Sequence, residues 1–545
     1  MKNELNIFCS VNFDGFIYID FNTSEQIDNV RYKLCSNDVV VAEKESVDVS
    51  ETIFFAGVDE GDYTVIATVT AQDQNIIDVS SPTIHAKNRR FFSQTKSVQT
   101  IERKLKGKNH IIDGVVDYFL EIKFKAGGDK KFKHENVDGV SHFSSFTRML
   151  IKNTDLNIND ISLLKVFTSA ISNKHGYNSL GNLYKINATA SFDLLDKISE
   201  QIEKLDYVEY CAVVPVTDNL TPVTQPLFND SSRSHRVRSL TPPTATPDFS
   251  AKQTYLDAGY GMNVRAAWAL ENTGSNVNIR HLDFGVYHNH EDLKGNITVV
   301  ASRSESEDCN HGTASTGIIA AVKNTLGVTG IAHGAKFYFY DTDYLDLIVK
   351  DALPGDIVSL NVQFSINGTY VPVTTNKSWW DKINALVNRG VVVILAAGNG
   401  GDDLRNLAEF DDYGDNGSML VGACEHDTGR SCYFSNYSHS TSLVNSWGDW
   451  SVTSTGYGSL QMAENERSYC DDFSGTSSAT PLVSGALALI QSYAKNNYGV
   501  YFNAHQMRDV IVKTGGNEGV VDGIGYRPNI VAAMKYIDTL LQTSE

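Results

Sequence analysis

Three short islands in this 545-residue chain hold side chains that could activate a hydroxyl for attack on a carbonyl. The first is NIRHLDFGVYHNHEDL, where Asp283 follows a strand-like apolar run and precedes Phe284-Gly285. A buried carboxylate there can hold an imidazole in one tautomer. Alone, an aspartate after a strand reads equally well as a turn or cap. The second is CNHGTASTGIIAA, with His311 directly before Gly312 at the start of a predicted helix. An imidazole titrates near the working range of a general base, and the small residues around it permit close approach of backbone. The third is FSGTSSATPLVSG. Ser474, Ser477 and Ser478 sit at a glycine-rich approach to an apolar helix, where free backbone donors lie near any exposed hydroxyl. The same hydroxyls also suit helix capping, so composition does not choose among them.

In chain order, HLDFG, NHGTA, AAGNGG and GTSSATP resemble the islands of the subtilisin-like serine peptidases. The resemblance extends over roughly 251 to 535. It implies Asp283, His311 and Ser477 as a catalytic triad, Asn399 as oxyanion donor, and peptide hydrolysis through an acyl-enzyme with no required cofactor. It also sets Ser359, Leu360 and Asn361 at the family's substrate-lining Ser-Leu-Gly. There an asparagine in place of glycine would narrow or polarise the pocket, or would only adjust the backbone. Structural calcium is common in the family. The stretches 341–346 and 400–406 offer oxygen ligands but read equally well as solvated acidic loops, so no metal site is assigned, and the histidines near Asp283 make no zinc motif. The competing readings are a catalytically restrained protease-like protein whose main role is partner binding, and a hydrolase of non-peptide esters.

The elements that would position these residues follow from pattern. Over 251–545, buried-looking strands (VNIRHLDFG, IVSLNVQF, GVVVILAAG) alternate with helical stretches (GTASTGIIAAV, KSWWDKINALVNRG), the pattern of an α/β fold with a mainly parallel sheet. Residues 1–92 alternate β-branched and aromatic runs with short polar turns, as in a β-sandwich accessory domain suited to packing or to binding a protein partner. Residues 93–216 read as an α+β domain. DYFLEIKFK, NLYKINAT and DYVEYCAVVPV are its strands, and FTRMLIKN and LLKVFTSAISN read as helices. In FDLLDKISEQIEKL, Leu194, Leu195, Ile198, Ile202 and Leu205 recur at helical spacing. Its place before the catalytic region resembles an inhibitory propeptide. The Pro/Ser/Thr-rich stretch 217–250, with Arg233, Arg236 and Arg238, reads as a linker and candidate processing region.

Acidic residues number 65 against 46 basic, a formal charge of -19, which disfavours a nucleic-acid partner. No run reaches the ~18 apolar residues of a membrane span, and MKNELNIFCSVNFDGF lacks the pattern of a signal peptide. Cytoplasmic residence is the default expectation, with non-classical secretion open. Seven cysteines leave at least one unpaired within the chain. Candidate disulfides are Cys424–Cys432, close in sequence, and Cys309–Cys470, which precede His311 and Ser477; the alternative is separate buried thiols.

Overall fold

The computed structural model describes residues 243–439 and 443–542. It also describes 109–128, 180–186, 189–218, 220 and 222, with shorter segments at 6–11, 17–22, 27–46, 53–55, 61–71, 76–86, 135–137, 140–142 and 163–167. The arginines of the linker lie outside these residues, as does FTRMLIKN.

The N-terminal region is β-rich, with strands in two small antiparallel sheets. YKLCSNDVVVAE folds as a hairpin: Ile27–Ser36 pairs with Val39–Ser46 across Asn37-Asp38. Both turn residues have positive φ (48° and 62°), as a two-residue hairpin turn whose twist matches its strands requires.

In the second region β1 (Tyr118–Phe124) is flanked by β2 (Leu183–Ile186) and, beyond helix α1 (Phe192–Ile202), by β3 (Val208–Pro215). The helix buries Leu195, Ile198 and Ile202, the apolar stripe its period implies, against Ile122, Phe124 and Leu183 in one core. One expectation fails here. Leu163–Lys165 opens the stretch read as helix, yet it is a strand paired antiparallel with β2. Its LLKV run is too short for periodicity to separate helix from strand.

The third region is built on β4 (Asn278–Asp283), β5 (Ile297–Val299), α2 (Asn310–Ala320), β6 (Lys336–Asp341), α3 (Leu345–Asp351) and β7 (Ile357–Leu360). The hairpin β8 (Gln363–Ile366) and β9 (Thr369–Pro372) comes next, then α4 (Lys377–Asn388), β10 (Val392–Ala396), β11 (Met419–Cys424), β12 (Val444–Trp447) and α5 (Thr476–Tyr498). A seven-stranded sheet, wholly parallel, runs β5-β6-β4-β7-β10-β11-β12. IVSLNVQF, read as one strand, is two: the chain leaves the sheet after Leu360 and enters the hairpin at Gln363.

Side chains alternate across this sheet. Ile279, Ile357 and Ile394 pack with α2 and α5, while Leu282, Val358 and Leu395 pack with α3 and α4 on the opposite face. The second region joins that opposite face and its core. Asp283, in step with Ile279, therefore points toward α2 and α5.

Among the described residues no helix is long and apolar enough to cross a membrane. Cys309, Cys424, Cys432 and Cys470 are free, buried thiols, so neither candidate disulfide forms. Cys309 Sγ turns to the Ser304 carbonyl and Cys470 Sγ to that of Thr455, which separates the two thiols. Cys424 and Cys432 come close across a bend, where burial pushes the Cys424 thiol up to about 12 and its partner higher still. Such thiols stay protonated and inert.

Candidate active site

Asp283 ends β4 fully buried. Its Oδ1 accepts from His311 Nδ1 at 2.6 Å and from the Phe284 amide at 2.6 Å. Its Oδ2 accepts from Ser315 Oγ at 2.5 Å, Asn361 Nδ2 at 2.8 Å and His281 Nε2 at 3.3 Å. Burial pushes this carboxyl upward, but His311 and the other donors outweigh it and hold the acid far below the usual carboxylate range.

His311 is the second residue of α2, with its ring between the edges of Phe284 and Phe473 (centroids 5.3 and 5.5 Å). Two glycines allow the aspartate and histidine islands to meet. A Cβ on Gly312 would stand 2.0 Å from the Gly285 carbonyl oxygen. Gly285 itself has φ +62° and leaves no room beside Cys309 Sγ.

Ser477 is the second residue of α5, after Gly475 with φ +84°. Ser478, one of the alternatives, is fully buried and donates to the Trp447 carbonyl, so it serves structure. Ser477 is partly exposed and lines a pocket with His311, Phe284, Asn361, Val362, Gln363 and Tyr370. Pro481 lies within the first turns of α5 and has no N–H to offer the Ser477 carbonyl. Asn361 Nδ2 donates to that carbonyl at 3.0 Å, tying the Ser477 backbone to the Asp283 carboxylate.

Asn399 follows β10 in a turn. Its Oδ1 accepts from Thr476 N at 2.8 Å and Thr476 Oγ1 at 3.0 Å, which orients the amide and leaves Nδ2 as a donor beside the start of α5. The Asn399 amide N–H in turn donates to Gln363 Oε1 at 2.9 Å.

The three residues expected to line substrate differ in where their side chains lie. Ser359 is fully buried, with its hydroxyl against His281 and Ser484, and Leu360 lies in the core of the α3/α4 face. Only Asn361 reaches the pocket, and the segment beside it is Asn361-Val362-Gln363, two residues further on. Because both Asn361 Nδ2 bonds go to the Asp283–Ser477 assembly, Asn361→Gly is expected to lower kcat about tenfold, one lost bond to a charge being worth 1.5–3 kcal/mol. A cleavage-site profile of this variant checks that residue preference stays unchanged.

Most carboxylates of the two acidic stretches already have protein partners. Asp341 receives Arg303 and the Gly285 amide, Asp343 receives Thr217, Asp346 pairs with Lys382, and Asp403 pairs with Arg405. His281, Ser315, Gln363 and Thr476 were not foreseen. For His281 a signal existed, because residues two apart on a strand share a face.

A parallel α/β sheet that presents a carboxylate, an imidazole and a helix-borne hydroxyl at one pocket defines a serine hydrolase of the Asp-His-Ser kind. The chain belongs to the subtilase family, whose model matches residues 274–526. It is 31% identical over 226 residues to subtilisin BL of Lederbergia lenta (40% of this chain, 77% of that protein). It is 28% identical over 287 residues to a thermophilic serine proteinase of Bacillus sp. AK1 (50% and 66%). To a calcium-dependent protease of Trichormus variabilis it is 26% identical over 382 residues (61% and 53%). The chain thus spans between about half and three quarters of the length of these relatives.

Proposed function

We propose that this chain is a serine endopeptidase made as a zymogen, with Ser477 as nucleophile, His311 as general base and then general acid, and Asp283 as the group that orients His311. The observation that carries the reading is the 2.6 Å bond from His311 Nδ1 to the buried Asp283 carboxylate, in the pocket that Ser477 lines. That bond commits Nδ1 as donor and leaves Nε2 to take the Ser477 proton as the hydroxyl attacks the scissile carbonyl. The first amides of α5 have no partner within the helix, so the Ser477 N–H and Asn399 Nδ2 form the oxyanion site. His311 then protonates the leaving amine, and water releases the acyl group.

Residues 93–216 act as the propeptide. Leu220 and Pro222 line the same pocket as Ser477, and Asp113 joins the hairpin rim through the Ser365 hydroxyl and Gly368 amide. A chain held across the pocket in this way excludes other substrates until it is cut or displaced. The 217–250 segment is where cutting is expected, and the N-terminal β-rich region is the candidate surface for a protein partner.

The test is intact mass over time for wild type and Ser477→Ala. Loss of mass that places a cut within 217–250 in wild type alone supports serine-dependent maturation. Equal peptide hydrolysis by the two proteins would sink the assignment of Ser477.

A further inference from the structure

The Asp283 carboxylate serves two imidazoles. His281 lies two residues earlier on β4 and is fully buried on the same face. Its Nε2 stands 2.8 Å from Ser315 Oγ and 3.3 Å from Asp283 Oδ2, and Ser315 Oγ is itself 2.5 Å from that same oxygen. On the other side of the ring, Nδ1 meets Ser359 Oγ at 3.0 Å. Ser359 meets Ser484 Oγ at 2.9 Å, and Ser484 donates to the Thr480 carbonyl at 2.8 Å. Phe337 and Phe339 of β6 close the remaining sides, with ring centroids 5.7 and 6.1 Å away. Among these neighbours only Asp283 carries charge, and His311 lies on its other oxygen.

A histidine is a costly choice for a wholly buried place unless both nitrogens are paired. Here both are. The neutral ring donates from Nε2 to Ser315, which donates on to Asp283, while Ser359 donates back to Nδ1.

We propose that His281 is a positioning residue of this site: with Ser315 it holds Asp283 Oδ2, so that Oδ1 stays aligned on His311 Nδ1. The inference rests on the serine-peptidase reading above. Without His281 the carboxylate loses one donor from Oδ2 and Ser315 loses the donor that orients it, so the carboxylate turns more easily and gives its charge less evenly to the catalytic imidazole. The Asn361 bond alone fixes one direction on that oxygen, whereas Ser315 and His281 approach it from α2 and from its own strand.

The experiment compares full-length wild type, His281→Leu and His281→Gln. It measures peptide turnover or self-cleavage against pH, together with the low-field proton resonance of His311 Nδ1–H, which needs no turnover. His281→Leu is expected to lower kcat about 10- to 100-fold with KM unchanged, the range of coupling between residues in one network. Because a poorly aligned carboxylate stabilises the His311 imidazolium less, it should also move the acid limb of kcat/KM to lower pH and displace the His311 resonance. Glutamine, whose amide reaches Ser315 as Nε2 does, should restore most of each. Equal losses in the two variants, or an unchanged resonance and pH profile in His281→Leu, would overturn the proposal. If His281→Leu does not fold, Ser315→Ala removes the bridging hydroxyl instead, and wild-type kcat in that variant would equally overturn it. Turnover that survives Ser477→Ala would reject the underlying reading, and the resonance comparison still decides the role of His281.

Discussion

Asp283→Asn is expected to lower kcat by about 10⁴ while leaving substrate affinity nearly unchanged, as loss of a triad aspartate does when the histidine takes the wrong tautomer. The carboxylate collects five donors on two oxygens, from His311, Phe284, Ser315, Asn361 and His281. An amide has one oxygen to offer them and turns an NH₂ toward the rest. If that NH₂ faces His311, Nδ1 must accept, the ring proton moves to Nε2, and the atom that should take the Ser477 proton is already protonated. If it faces Ser315 and Asn361, donors oppose donors in a fully buried place, at a cost of about 1–3 kcal/mol for each pairing lost. Hence the variant should also melt at lower temperature. Single-turnover rates against pH, with calorimetry on the same protein, separate the two effects. A kcat within tenfold of wild type would show that His311 does not depend on Asp283.

The second large effect is expected at the contact between the second region and α4. Lys382 is buried in α4 and shared by Glu121 of β1 (2.9 Å) and Asp346 of α3 (2.6 Å). Glu121 is wholly buried and also receives the Ser378 hydroxyl. Beside it, Asp381 is held down at about 2: burial opposes its charge, but Lys377 and Lys123, at 2.6 Å each, prevail. Further contacts across the interface include Asn376 to the Val213 carbonyl, Arg303 to that of Leu220, and Thr342 to that of Thr217.

Removing one member of a buried pair leaves the other uncompensated, which costs about 3–5 kcal/mol, whereas replacing both is often close to neutral. Lys382→Met is therefore expected to destabilise the docked full-length chain by about that amount, and Glu121→Gln combined with Lys382→Met to recover most of it. Urea unfolding of the single and double variants measures the coupling. On the zymogen reading, Lys382→Met should also hasten loss of the 93–216 region from the pocket and raise early peptide hydrolysis. A single variant as stable as wild type would mean that water reaches Glu121 and that the pair holds nothing.

Much of the site was legible because its parts are local. Asp283, His311, Asn399 and Ser477 each sit in a short run whose glycines and small residues state a local need, such as the Gly285–Gly312 approach or the positive φ at Gly475. Periodicity found α1, α2 and α4 and the central strands, since an amphipathic or wholly apolar run has few other places to go. It was blind where the answer depended on pairing. Leu163–Lys165 became a strand because β2 offers it an edge, and IVSLNVQF split because its second half pairs with Thr369–Pro372.

The sequence by itself determined the layered fold, through alternating apolar runs, and pointed to the class of chemistry through the resemblance of four islands in chain order. Tertiary structure alone decided which atoms meet. It buried the Ser359 and Leu360 side chains and brought Asn361, Val362 and Gln363 to the pocket, left the four cysteines as thiols, and placed the 341–346 carboxylates on Arg303, Thr217 and Lys382. It also brought His281, Ser315 and Asn361 to one oxygen of Asp283 from two strands and a helix. Hydrogen bonds and ion pairs act over a few ångströms between residues distant in the chain, so partners of this kind are set by packing and leave no local pattern.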